Sequence, residues 1–180
     1  MADAVEKTGG ALIDALLESY RSLLGGDWQG YRNYCRRTLA FTLRLHPVHG
    51  EEAECLATAV AFHDLGVWAT GSLDYLEPSV VLASAYLDAE SRPQWRREVA
   101  AIIRDHHKLT PSSFGGLAEA FRKADAIDLS GGLLRFGLGK QDIGAIRAAF
   151  PNAGFHRCLA RRLWRQILSA PRRSLPMIRC

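Results

Sequence analysis

Several histidine, aspartate and tyrosine side chains fall within otherwise apolar stretches of this sequence. His63 and Asp64 are adjacent and end the run Ala59-Val60-Ala61-Phe62. Asp125 follows Leu117, Phe121 and Ala124 at helical spacing, and Tyr34 lies in the stripe Tyr31, Cys35, Thr38, Phe41, Thr42 and Leu45. His106 and His107 close a segment whose inward face is Trp95, Val99, Ile102 and Ile103. A carboxylate on an apolar face is costly unless it is paired or holds a cation. A lone buried histidine is usually structural. An adjacent His-Asp pair with a second inward carboxylate points instead to a ligand set, so His63, Asp64 and Asp125 are candidate metal ligands. Imidazole nitrogen and carboxylate oxygen together suit a divalent ion such as Mn, Fe, Co, Ni, Zn or Mg. An ion held this way acidifies water and polarises a phosphoryl oxygen.

Other groups would serve a phosphorylated substrate. Arg37 sits one turn after Tyr34 on the same side of its helix. It has the fork geometry to hold a phosphate, or equally to pair with a carboxylate. Lys108 offers a positive charge or caps a helix end. Side chains one position apart on a helix diverge by about 100°, so only one of His106 and His107 is expected to point fully inward. Asp128, one turn after Asp125, reads as a supporting or capping group, and Asn152 as a turn residue.

The positioning elements are all helical. Apolar spacing predicts helices over about 11–24, 28–45, 51–65, 78–90, 93–107, 117–129, 141–150 and 155–169. Gly25-Gly26 ends the first, Asp27 is a candidate N-cap for the second, and Pro47 stops that one. Ser91 is a candidate cap for the fifth helix, with Pro93 in its first turn, and Pro171 ends the last. The third helix is apolar nearly all round from Ala57 to Phe62, which predicts neighbours on every side. Residues 67–77 carry large apolar side chains and read as a loop folded back beside the site. With no alternating pattern of any length, the expectation is an all-α, single-domain helical bundle of about seven to eight helices. Its core spans about 28–130, with helices over 141–170 packed on it.

At the level of motifs the chain resembles the HD-domain superfamily of metal-dependent phosphohydrolases, which carry the pattern H…HD…D on an all-α scaffold. His63-Asp64 matches the doublet and Ala124-Asp125 the final aspartate. A small bacterial branch is similar through Tyr31-Arg32-Asn33, Ala61-Phe62-His63-Asp64-Leu65-Gly66-Val67-Trp68, Asp74-Tyr75-Leu76-Glu77-Pro78-Ser79, His106-His107-Lys108 and Phe150-Pro151-Asn152-Ala153-Gly154-Phe155-His156. The resemblance implies a divalent ion on His63, Asp64 and Asp125, with a role for the His106-His107 region in a second metal or the substrate phosphate. The first histidine of the pattern is absent: Tyr34 stands in its place, and His46 and His49, beside Pro47, are poor substitutes. Tyr34 would ligate a strongly Lewis-acidic ion as phenolate, hydrogen-bond a water on the metal, or mark a protein that has lost its metal.

The expected function is therefore hydrolysis of a small phosphorylated compound or nucleotide, using Asp64, His106, His107, Lys108 and Arg37. The alternatives are an oxygenase or hydratase with an altered ion, and a metal-free binding or regulatory protein. The net charge is +4, with an excess at Arg157, Arg161, Arg162, Arg165, Arg172, Arg173 and Arg179. This reads as a solvated face or an attraction for phosphorylated ligands. No aromatic-interleaved basic surface points to specific nucleic-acid binding. No apolar run approaches the roughly 20 residues that span a bilayer, and the first ten residues lack an apolar signal core. A cytoplasmic location is the expectation. Cys35, Cys55, Cys158 and Cys180 show no paired spacing and read as reduced thiols, the first three buried.

Overall fold

The computed structural model describes residues 2–169. These form ten α-helices: α1 Ala2–Ser19, α2 Arg21–Leu24, α3 Trp28–Leu45, α4 Glu51–Phe62, α5 Gly66–Thr70, α6 Leu76–Ala89, α7 Arg96–Asp105, α8 Gly116–Leu129, α9 Lys140–Ala149 and α10 Phe155–Ser169. Eight of them have ten or more residues, so the bundle has the expected helix count, and no strand occurs among the described residues. No described helix is long and apolar enough to cross a membrane.

The centre is α4. Every residue from Cys55 to Phe62 is buried, and α4 packs against α1, α3, α6 and α7. A helix apolar on all sides has no face to give to solvent, and this one is enclosed accordingly. Burying side chains such as Leu56, Val60 and Phe62 contributes on the order of 1.5–3 kcal/mol each.

The most extensive helix pairing joins α3 to α8. Two polar rungs cross it, Tyr34 to Asp125 and Arg37 to Asp128. Both partners advance by one turn from the first rung to the second, so α3 and α8 run in the same direction. Ala40 and Phe41 of α3 and Ala124 and Ile127 of α8 pack with Ile143 and Ile146 of α9. Phe155 of α10 enters the main core, and the thiols of Cys35, Cys55 and Cys158 are buried and free.

Several local expectations differ from what forms. Asp27 does not cap α3; its carboxylate accepts from Trp68 Nε1 (3.0 Å) and Cys158 Sγ (3.1 Å), tying α3 to α5 and α10. Ser91 has a positive φ of 55° and caps nothing; Pro93–Trp95 form a short 3₁₀ turn leading into α7. The stretch 67–77 is partly helical (α5), and α6 begins at Leu76, ahead of Pro78. The first helix starts at Ala2 and breaks at Tyr20, ahead of Gly25-Gly26. Pro171, Arg172, Arg173, Arg179 and Cys180 lie outside the described residues.

Candidate metal centre

Two helices deliver the ligand-type side chains from their C-terminal ends. After Phe62 the chain tightens: Leu65 N–H donates to Phe62 O (3.1 Å) and Val67 N–H to Asp64 O (3.0 Å). After Asp105 it does the same, with Lys108 N–H donating to Asp105 O (2.9 Å). Both members of each pair reach one cluster. His106 is fully buried while the His107 side chain is 17% exposed, yet both imidazoles meet the cluster, their rings 4.0 Å apart, centre to centre.

The same device fixes two imidazoles. His63 Nδ1 donates to Val60 O and His106 Nδ1 to Ile103 O, each at 2.7 Å and each three residues back. A histidine that gives its Nδ1 proton to a carbonyl presents Nε2 as a lone pair when neutral. Both lone pairs aim at Asp64. His63 Nε2 is 3.6 Å from Asp64 Oδ2, and His106 Nε2 is 3.3 Å from Asp64 Oδ1. His63 Nε2 and Asp64 Oδ1 are buried without a hydrogen-bond partner; the approach of His106 is close but too poorly aligned to supply one. Three buried acceptors thus face one another, and only a proton or a cation between them relieves the repulsion.

The charge balance follows. Burial pushes His63 down to about 4, against the pull of Asp64, so it is neutral near pH 7. Burial acts to raise the Asp64 carboxyl, but His63 and His106 outweigh it and hold Asp64 below the ordinary carboxylate range. Burial would lower His106, yet Asp64 and then Asp125 keep it above its usual value. Of the three histidines in the cluster, His106 is the one whose surroundings favour the protonated form.

Asp125 forms the far side. The Tyr34 hydroxyl donates to its Oδ1, and His107 Nδ1 lies 3.5 Å from its Oδ2. Burial raises Asp125 to about 7, offset by His106 and reinforced by Asp64. Burial and the charges of Asp125 and Asp64 push the Tyr34 phenol well above its usual range, so its surroundings favour the protonated donor over a phenolate. Burial, with His106, lowers His107.

Two triads have ligand atoms within 4.8 Å of one another: His63, Asp64 and His106, and His106, His107 and Asp125. His106 therefore links the doublet to the final aspartate, a role the sequence did not single out. The donor chemistry of both triads fits a divalent transition ion.

Tyr75 is a site residue that sequence reading missed. It is buried, and its hydroxyl lies 2.8 Å from His107 Nε2 and 3.4 Å from His106 Nε2. Burial and the charge of Asp64 hold its phenol well above the ordinary range, so the hydroxyl is the donor. The available signal was its place in the apolar loop segment after the doublet. Gly66 makes that placement possible. A Cβ there would meet Tyr75 O at 2.5 Å and Ser79 Oγ at 2.7 Å, and its N–H donates to Ser79 Oγ (2.9 Å).

The two cations considered for a phosphate each sit beside a carboxylate. Arg37 is buried and forms a two-point pair with Asp128 (2.6 and 2.8 Å), and a third bond to Phe150 O (2.8 Å). Its guanidinium is committed to joining α3, α8 and the segment after α9. Lys108 Nζ lies 3.8 Å from Asp105 Oδ2. Asp128 also faces His156 at 3.5 Å, and Asn152 Oδ1 accepts from His156 N–H (3.1 Å) at the start of α10. His49 is exposed and His46 pairs with Glu52 (4.0 Å), so neither joins the cluster.

A cavity of about 210 Å³ adjoins the cluster, and Asp64, Tyr75 and His107 form its polar wall. No protein-family model, curated protein or solved structure matches the chain.

Proposed function

We propose that the cluster holds a divalent metal ion and that the protein is a metal-dependent hydrolase of a small phosphorylated compound, as the resemblance to the HD-domain superfamily implies. The observation that carries this reading is that His63 Nε2 and Asp64 Oδ1 are buried without a hydrogen-bond partner, with His63 Nε2 3.6 Å from Asp64 Oδ2 and His106 Nε2 3.3 Å from Asp64 Oδ1. His63, Asp64 and His106 would hold the ion, which when bound supplies Lewis acidity toward a phosphoryl oxygen and water. Hydrolysis joins a water oxygen to phosphorus, breaks the ester P–O bond and delivers a proton to the departing oxygen. Asp125, His107 and Tyr75 are linked side by side opposite the doublet and are suited to hold and pass that proton. Tyr34 keeps one oxygen of Asp125 occupied and sets its orientation.

The test is phosphate release from a panel of phosphomonoesters and nucleotides with Mn²⁺, Co²⁺ or Ni²⁺. Release that disappears in Asp64→Asn supports the reading. A metal-loaded protein inactive on the whole panel contradicts the hydrolase assignment. The bond from Tyr34 to Asp125 favours a second reading, a metal-free binding protein in which the tyrosine has taken over from the ion. Elemental analysis of the purified protein separates the two.

A further inference from the structure

The cavity beside the cluster has a second character. Away from Asp64, Tyr75 and His107 it is walled by Val67, Leu73, Leu129, Leu159 and Leu163. These aliphatic side chains come from α5, the segment before α6, the end of α8, and α10. Among the described residues no lysine or arginine lines it, and the two cations expected to serve a phosphate, Arg37 and Lys108, are paired with Asp128 and Asp105. A polyphosphate or nucleotide would find little charge compensation here beyond the histidines. An apolar group would find five aliphatic walls, with the polar cluster at one side. Small-molecule pockets of this kind take the apolar body of a ligand and orient it by a few polar groups. At about 210 Å³ the space exceeds the roughly 150 Å³ cavity that accepts benzene, so a phenyl ring or a short alkyl chain fits.

We infer that this cavity is the substrate subsite for a short alkyl or aryl group, and that the scissile ester joins that group to a single phosphate placed against Asp64, Tyr75 and His107. The phosphate half of this statement rests on the proposed hydrolase reading; the apolar half rests on the cavity alone. The substrate class is a monoester with an apolar body, distinct from a nucleotide.

Calorimetric binding of four probes to the metal-loaded protein tests it: ethylphosphonate, hexylphosphonate, ethanol and hexanol. Each methylene buried is worth on the order of fourfold in affinity, so the hexyl probes should bind at least tenfold more tightly than their ethyl counterparts. Leu163→Asp should abolish that preference. Leu129→Gln, at a position already 39% exposed, should reduce it if the first variant folds poorly. A hexyl preference in both series, with phosphonates tighter than alcohols, supports both halves. A hexyl preference without a phosphonate advantage supports the apolar subsite and counts against the phosphate. Equal affinity across chain lengths overturns the subsite, whether or not phosphomonoesters are hydrolysed.

Discussion

The Tyr34 hydroxyl donates to Oδ1 of Asp125, joining α3 to α8 inside the cluster. One turn further, Arg37 joins the same two helices through Asp128. The two rungs look alike but differ in kind. The first involves a residue that also faces His107, whereas the second is enclosed by α3, α8 and the chain after α9.

Tyr34 supplies a proton where an imidazole would supply a lone pair. Tyr34→His should raise metal affinity, by at least the roughly tenfold typical of changes beside a metal ligand. Tyr34→Phe should leave Asp125 Oδ1 without its donor and lower stability by about 1–3 kcal/mol. Competition with a metallochromic chelator measures the first, and urea denaturation the second.

Arg37 is structural. Arg37→Met leaves the Asp128 carboxylate buried without its main partner and should cost about 3–5 kcal/mol. Adding Asp128→Leu should recover much of that loss. Phosphonate affinity should stay unchanged wherever the variant remains folded. Thermal denaturation of the single and double variants checks the coupling.

His106 is the histidine of the cluster whose surroundings favour the protonated form, and a cation bound there would displace that proton. Metal uptake near neutral pH should therefore release protons. Calorimetric titration in buffers of different ionisation enthalpy reads this directly. A heat that is independent of buffer would contradict the assignment of His106 as a ligand.

Asp125 gives a signed pH dependence in the metal-free protein. Its folded pKa is raised to about 7, above the ordinary value of about 3.9. The native state therefore holds more protons than the unfolded state in that window, and this contribution to stability falls as pH rises from about 4 to about 7. His63 works in the opposite sense. Its folded pKa is lowered to about 4, so its contribution rises from about pH 4 to about 6.5. Asp125→Asn removes the first contribution and keeps an acceptor for Tyr34. Its stability should gain on that of the wild type, by a few kcal/mol at most, as pH goes from 4 to 7. Urea midpoints across that range measure the difference.

Much of the scaffold was legible because apolar periodicity reports burial. The all-round apolar run of α4 placed it at the centre, and polar residues interrupting apolar faces located the cluster. What was not legible depends on which element meets which. Arg37 has one face and two chemically equivalent destinations, a phosphate or a carboxylate; the pairing of α3 with α8 decides between them. Asp27 precedes a helix and looks like a cap, yet Trp68 and Cys158, distant in sequence, claim its oxygens. His106 and His107 both meet the cluster because Asp64 and Asp125, from different parts of the chain, lie beside one ring each, and periodicity does not show which elements meet. Tyr75 had no pattern of its own; its position depends on the close contact at Gly66.

The most direct test of the metal centre is stoichiometry and affinity. Equilibrium dialysis with Mn²⁺, Co²⁺ and Zn²⁺, read by elemental analysis, should find stoichiometric binding of at least one ion by the wild type. His63→Ala and Asp64→Asn should each lose it while circular dichroism shows both still folded. A wild-type protein that binds none of these ions, or binds them equally well after both substitutions, would contradict a metal centre at His63, Asp64 and His106.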